Sequence, residues 1–176
     1  MTPAEHHALF DRWMADHPGI LHRVANAFAD GADRSDLLQE LMLAVWKAVP
    51  AFKGGSKAST FIYRVAHNAA LTWKRGHSTY RRHVDRFEAL HVPDEPAPDG
   101  ADGRDREVLA LLYAEIRRLP PLDRSLLLLH FDEVPYAEIA EVLGLTETNV
   151  GARLTRTKQR LIATLQSQTV SSHEHR

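Results

Sequence analysis

From Lys53 through Val84 the sequence carries no Asp or Glu, while Lys53, Lys57, Arg64, Lys74, Arg75, Arg81 and Arg82 are interleaved with Phe61, Tyr63, Trp73 and Tyr80. Ammonium and guanidinium groups attract phosphate, and aromatic rings accept unstacked bases. The chemistry on offer is therefore capture of single-stranded nucleic acid rather than bond making. Solvated faces ordinarily mix charge signs, which sets this run apart, although some of its aromatics are expected to be core. A second set lies further on, where Thr148, Ala152, Thr155, Arg156 and Gln159 recur on one side of a helix, flanked by Asn149, Arg153 and Arg160. Short groups near the helix start and arginines beyond them suit a helix entering a major groove, the first near base edges and the second on bases or phosphates.

Other chemistries are poorly served. The absence of cysteine excludes a disulfide framework, thiolate metal sites and cysteine catalysis. Eleven histidines are scattered, as at His6-His7, His22, His67 and His130, without a His-Glu-x-x-His or comparable spacing. His173 and His175 could bind a metal adventitiously, but nothing makes them a site. No catalytic residue, metal or cofactor is expected, and the chain does not read as an enzyme. The net charge of -1 argues against nucleic acid only on average, because the charges are segregated along the chain. No apolar run reaches membrane-spanning length, and the start lacks the basic and apolar regions of a signal peptide, so a cytoplasmic protein is expected.

The elements that must position these residues are helical throughout, and no strand pattern or internal repeat is present. Residues 3–31 read as helix around Leu9, Phe10, Trp13 and Met14, with Pro18-Gly19 interrupting before Ile20, Leu21, Val24 and Phe28. Ser35 is a candidate cap for a helix from Asp36 to Val49, apolar over most of its circumference, which is either central in a bundle or offers a face to a partner. Pro50 ends it, and Phe52 to Ser59 is a basic loop. The next helix, Thr60 to Arg75, has Phe61, Val65 and Ala69 on one stripe.

Helices resume near Arg106 with Val108, Leu109, Leu112, Ile116 and Leu119, and Pro120-Pro121 starts a helix from Leu122 to Phe131. Tyr136 to Arg156 then reads as a helix-turn-helix. Ile139, Ala140 and Leu143 share one face, Gly144 supplies a left-handed exit, Thr146 caps the second helix and Glu147 favours its dipole. Val150, Leu154, Leu161 and Leu165 form the second helix's inner stripe. The predicted fold is all-α, with two small helical domains joined by a disordered acidic linker and the helix-turn-helix in the second. The expected boundaries are 1–86, a Pro-, Gly- and acid-rich linker over 87–105, 106–166, and a polar frayed tail over 167–176.

Two stretches together resemble a bacterial RNA polymerase sigma factor of the small, two-domain, extracytoplasmic-function type. Asp36-Leu-Leu-Gln-Glu40 through Trp46, Phe52-Lys-Gly54 and Thr60 to Asn68 resemble the family's first domain. Leu119 to Leu129, Glu138 to Leu145 and Val150 to Arg156 resemble its second. The resemblance implies that Asp36, Gln39, Glu40, Leu43 and Trp46 dock on core RNA polymerase. It also implies that Lys53, Lys57, Thr60, Phe61, Arg64, His67, Asn68, Trp73, Lys74 and Arg75 bind and help open the minus-ten promoter DNA. Thr148, Asn149, Ala152, Arg153, Thr155, Arg156 and Gln159 would serve the minus-thirty-five element.

An anti-sigma factor or other regulator is a further partner implied in this way. The sequence departs from the family pattern at Arg34-Ser35, where an acid is common, at Ala58 and Phe61, and at Gly151, where a basic residue is common. The rival reading is a self-sufficient helix-turn-helix regulator with a helical sensor or dimerisation domain. It would bind a palindrome as a dimer, yet the sequence shows no heptad seam, so no obligate homo-oligomer is expected.

Overall fold

The computed structural model describes the backbone of residues 1–84 and 103–173, and the side chains of residues 1–76 and 105–166. The expected linker disorder, and the side chains of Tyr80, Arg81, Arg82 and the tail, lie outside those residues. The chain divides into two compact units, Met1–Glu95 and Pro96–Arg176. Among the described residues every regular element is helical.

The first unit contains α1 (Pro3–Asp16), α2 (Gly19–Phe28), α3 (Gly31–Ala48), a single 3-10 turn (Val49–Ala51) and α4 (Ala58–Val84). Helix α1 opens with a capping box: Thr2 Oγ1 accepts from the Glu5 N–H at 3.3 Å, and the Thr2 N–H donates to Glu5 Oε2 at 2.7 Å. Helix α3 begins earlier than the Ser35 cap expected from sequence. Ser35 lies inside it and exposed, and the capping position is Asp30 in extended conformation. No breaker separates Gly31 from Ser35, and Asp33 in the first turn complements the dipole, so the helix propagates back to the extended pair Ala29-Asp30.

Leu37, Leu41 and Val45 of α3 are fully buried, whereas Met42 and Leu43 are 42% and 43% exposed. Helix α3 thus belongs to the core and also presents a free apolar edge. Helix α4 buries Ile62, Ala66 and Ala70 completely, together with Phe61, Tyr63 and His67, while Val65 and Ala69 are only half-buried. The buried arc is wider than the expected Phe61-Val65-Ala69 stripe and rotated from it, because α2 and α3 both pack against α4. Helix α1 is fastened by Trp13, whose ring lies 5.1 Å from that of Phe52 and 5.7 Å from that of Phe61.

The second unit contains α5 (Gly103–Arg118), α6 (Pro121–Phe131), α7 (Tyr136–Leu143) and α8 (Glu147–His173). Helix α5 starts three residues before the expected Arg106. Its inner stripe is shorter than predicted: Ile116 and Leu119 are buried, but Val108 is 60% and Leu109 39% exposed. Helix α8 runs on to His173, and neither Pro nor Gly interrupts it after Gly151.

Helix α6 is the unit's axis. Every residue from Asp123 to Leu129 is buried, with α5, α7 and α8 packed around it. The α5–α6 joint is closed by Arg124, 4% exposed, whose Nε donates to Leu119 O at 2.8 Å and whose Nη2 donates to Arg117 O. The guanidinium therefore satisfies carbonyls that the end of α5 leaves open. Burial first, then the neighbouring Arg117 charge, lowers the Arg124 pKa from its ordinary value.

Candidate nucleic-acid interfaces

The helix-turn-helix forms as the sequence predicts. Gly144 ends α7 in the left-handed region at φ 66°, and the Asn149 N–H donates to Thr146 Oγ1 at 3.3 Å. Val150, Leu154 and Leu161 are buried, with Thr157 beside them. The opposite side of α8 exposes Thr148, Asn149, Ala152, Thr155, Arg156 and Gln159 together. Six of the seven residues assigned to duplex DNA therefore share one open surface.

Arg153 does not stand free among them. Its Nε donates to Asp123 Oδ1 on α6, and the side chain is turned toward the flank of the helix. Sequence reading missed that partner because Asp123 is 30 residues away and carries no periodic signal. Two other neighbours were also missed. Tyr136, 41% exposed, lies across Gly151, where an added Cβ would meet its ring at 3.6 Å. His130 Nε2 accepts from the Lys158 ammonium at 3.1 Å. Burial, and then the Lys158 charge, hold the His130 pKa below its ordinary value, which keeps the ring neutral and able to accept.

The first unit sorts its expected site residues differently. Lys53, Lys57, Asn68 and Arg75 are exposed, and Arg64, Trp73 and Lys74 are half-buried. The Arg64 guanidinium lies 5.4 Å from the Phe61 ring centroid, and Arg75 Nε donates to Leu71 O at 3.3 Å. Thr60, Phe61 and His67 are instead core residues, 3%, 6% and 6% exposed. Phe61 packs against Trp13 and Phe52, so its ring is already occupied and cannot also receive a base in this conformation. Tyr63 is buried as well, with its hydroxyl accepting from Arg23 Nε at 3.5 Å. Burial lowers the His67 pKa from its ordinary value.

Of the residues assigned to protein docking, Asp36, Gln39, Glu40 and Leu43 are exposed along α3. Trp46 is half-buried beneath α1. The His6 ring stacks on it at 4.0 Å, His7 and Phe10 approach its edges at 4.6 and 5.2 Å, and His6 Nε2 bonds Trp46 O at 2.8 Å. Between α3 and α4 runs an open groove of about 500 Å³ whose walls include Glu40, Leu43, Lys47, Asn68, Thr72 and Trp73. Residues expected at two separate sites, for protein and for single-stranded DNA, thus line one depression. Among the described residues, no group of acids and histidines is arranged to hold a metal, and no helix is long and apolar enough to cross a membrane.

Comparison with known proteins bears on both surfaces. The family model for Sigma-70 region 2 matches residues 12–80, and that for Sigma-70, region 4 matches residues 109–161. The ECF RNA polymerase sigma factor SigG of Mycobacterium tuberculosis is 31% identical over 152 residues. That match takes in 73% of this chain but only 41% of SigG, so the chain spans about two-fifths of that relative. The RNA polymerase sigma-H factor of Pseudomonas aeruginosa is 28% identical over 156 residues, covering 84% of this chain and 80% of its own. In fold, the chain is similar to the sigma factor RpoE solved in complex with the anti-sigma factor NepR from Bartonella quintana. The TM-score is 0.69 at 19% identity, over 89% of this chain and 96% of that one.

Proposed function

The chain belongs to the sigma-70 family, in its extracytoplasmic-function branch, and from that premise we propose that it binds core RNA polymerase, directs it to particular promoters and helps open the minus-ten region. Polymerase docks along the exposed edge of α3, with Asp36, Gln39 and Glu40 supplying polar contacts around Leu43. Lys53, Lys57, Arg64, Asn68, Trp73, Lys74 and Arg75 hold the displaced strand, with Thr60, Phe61 and His67 supporting them from the core. The exposed side of α8 reads the minus-thirty-five duplex. The chain performs no covalent chemistry of its own and works in the cytoplasm with the polymerase.

The observation that carries this reading is the dual character of α3. Three of its side chains anchor the core, while Met42 and Leu43 stay more than two-fifths exposed beside Gln39 and Glu40. Apolar surface held outward on a rigid core helix, rimmed by polar groups, is what a protein partner covers. The same edge suits an anti-sigma factor, which would compete with polymerase for Leu43 and the adjoining groove. The RpoE neighbour, solved with NepR, motivates that extension.

Strand opening tests the proposal. Unstacking costs a few kilocalories per step, more than one small domain offsets alone. Polymerase would hold two DNA-binding units at promoter spacing, so engagement at one raises the effective concentration at the other. Permanganate should therefore reveal unpaired thymines with chain and core polymerase together, and none with either alone. Tight binding of the free chain to a palindrome as a dimer, with no polymerase-dependent bubble, would establish the self-sufficient regulator instead.

A further inference from the structure

On the flank of α8, beside its base-reading side, Arg153, Arg156 and Arg160 surround a notch of about 290 Å³ whose remaining walls are Asp123 and Thr157. The three arginines follow at intervals of three and four, so they share a helix face. Asp123 comes from α6, outside the helix-turn-helix, and is 9% exposed as a residue. Its Oδ1 takes the Arg153 Nε–H, and the Nη groups of that guanidinium remain as further donors at the notch. Thr157, 5% exposed, donates its hydroxyl to Arg153 O at 2.9 Å and so adds no charge to the notch.

The charges do not balance. Three guanidiniums meet one carboxylate, and the walls contain no other acid. Arg156 and Arg160 are exposed, whereas Arg153 is partly covered and its direction is fixed by the ion pair. A single carboxylate beneath a cationic notch acts as a brace: it orders one guanidinium and leaves the rim with excess positive charge. An anion with several acceptor oxygens, the size of a phosphate, is the complement.

We infer that Asp123 is a positioning residue for promoter binding, holding Arg153 so that it closes with Arg156 and Arg160 on one phosphate of the minus-thirty-five duplex. This rests on the proposed reading of α8 and deepens it, because it places a determinant of DNA affinity in α6. The alternative role for the same ion pair has the opposite sign. A carboxylate that competed with DNA for Arg153 would weaken binding, and its removal would strengthen it.

The test uses the full chain assembled with core polymerase on a promoter duplex, comparing wild type, Asp123→Ala, Asp123→Asn, Arg153→Ala and the double variant Asp123→Ala/Arg153→Ala. Asp123→Ala should weaken promoter binding roughly tenfold, the effect of one charge-assisted contact, and lower the salt slope by about one. Asp123→Asn keeps an acceptor for the Arg153 Nε–H without the buried charge, and should retain most of the affinity. The double variant should bind like Arg153→Ala, since the two residues form one unit.

Neutral methylphosphonate substitutions, one phosphate at a time, supply the second arm. One position should weaken wild type while leaving Asp123→Ala unaffected. Inorganic phosphate should not compete at that position, which separates a duplex phosphodiester from a free anion as the occupant. The inference is overturned if Asp123→Ala and Asp123→Asn bind more tightly, if every methylphosphonate acts equally on both proteins, or if free phosphate displaces the duplex from the notch. Failure of the underlying reading would look different: no variant, wild type included, would show polymerase-dependent binding to any promoter.

Discussion

Helices α4 and α8 are both 27 residues long and both basic, yet they are buried to very different extents. Helix α8 rests on its neighbours along a narrow line of Val150, Leu154, Thr157 and Leu161, and nearly everything else on its described length faces outward. Helix α4 is gripped by both α2 and α3, and its buried arc takes in Thr60, Phe61, Ile62, Tyr63, Ala66, His67 and Ala70. One-sided packing lets the spacing of apolar residues identify the outer face. Two-sided packing lets an aromatic or a histidine be core while its neighbours in sequence remain at the surface.

The sharpest way to break this contrast is to truncate one inward and one outward aromatic of α4. Phe61→Ala should cost about 3–5 kcal/mol in urea unfolding, because it opens a cavity between Trp13 and Phe52. Trp73→Ala should cost no more than about 1 kcal/mol, because its ring is only half-buried, yet it should reduce promoter opening in the presence of polymerase. A small stability loss at Phe61 would mean that the wide buried arc is wrong.

On the α8 side the largest expected effect comes from the turn that presents the helix. Gly144→Ala forces a Cβ into a residue at φ 66° and should destabilise the second unit by about 1–2 kcal/mol. Open space surrounds that position, so the loss would be conformational and not steric. Unchanged thermal unfolding would show that the residue does not stay left-handed in solution.

Outer-face residues should affect binding more than folding. Arg156→Ala should weaken all promoters by about 1 kcal/mol and flatten the salt dependence by about one counterion, with unfolding unchanged. Thr148→Ala should relax preference at one base pair without altering the salt slope. Competition binding at several salt concentrations distinguishes the two, and equal slopes for both variants would remove the division between affinity and sequence preference.

The smallest effect concerns pH. Burial keeps the His67 pKa below 6.5, so the unfolded chain takes up a proton more readily than the folded one. The stability His67 contributes is fully present above 6.5 and is lost as pH falls from there through its lower native value. His67→Gln should therefore flatten the decline in the urea midpoint of the first unit over that window, with no corresponding change in the second. An unaltered pH profile would place the titration elsewhere.

The same contrast explains what the sequence could disclose. The helix-turn-helix was legible in its main features, because Gly144, Thr146 and the Val150-Leu154-Leu161 stripe are local signals obeyed locally, although Leu143 and Leu165 are only half-buried and Val142 is buried instead. The helix content and the interruption at Pro18 were legible for the same reason. Thr60, Phe61 and His67 were assigned to DNA through the family resemblance, and nothing in a linear pattern reveals that a helix is packed from two directions. The Asp123–Arg153 pair and the covering of Trp46 by His6 and His7 link residues 30 to 40 positions apart. Ser35 was misplaced because α3 begins earlier, after Asp30 in extended conformation, without a side-chain capping hydrogen bond there to mark the start.

Arg124 has a mechanical consequence. From inside the first turn of α6 its buried guanidinium binds the carbonyls of Arg117 and Leu119, at and just past the end of α5. Replacing Arg124 should therefore open the hinge between α5 and α6 while leaving the direct packing of α5 on α8 in place.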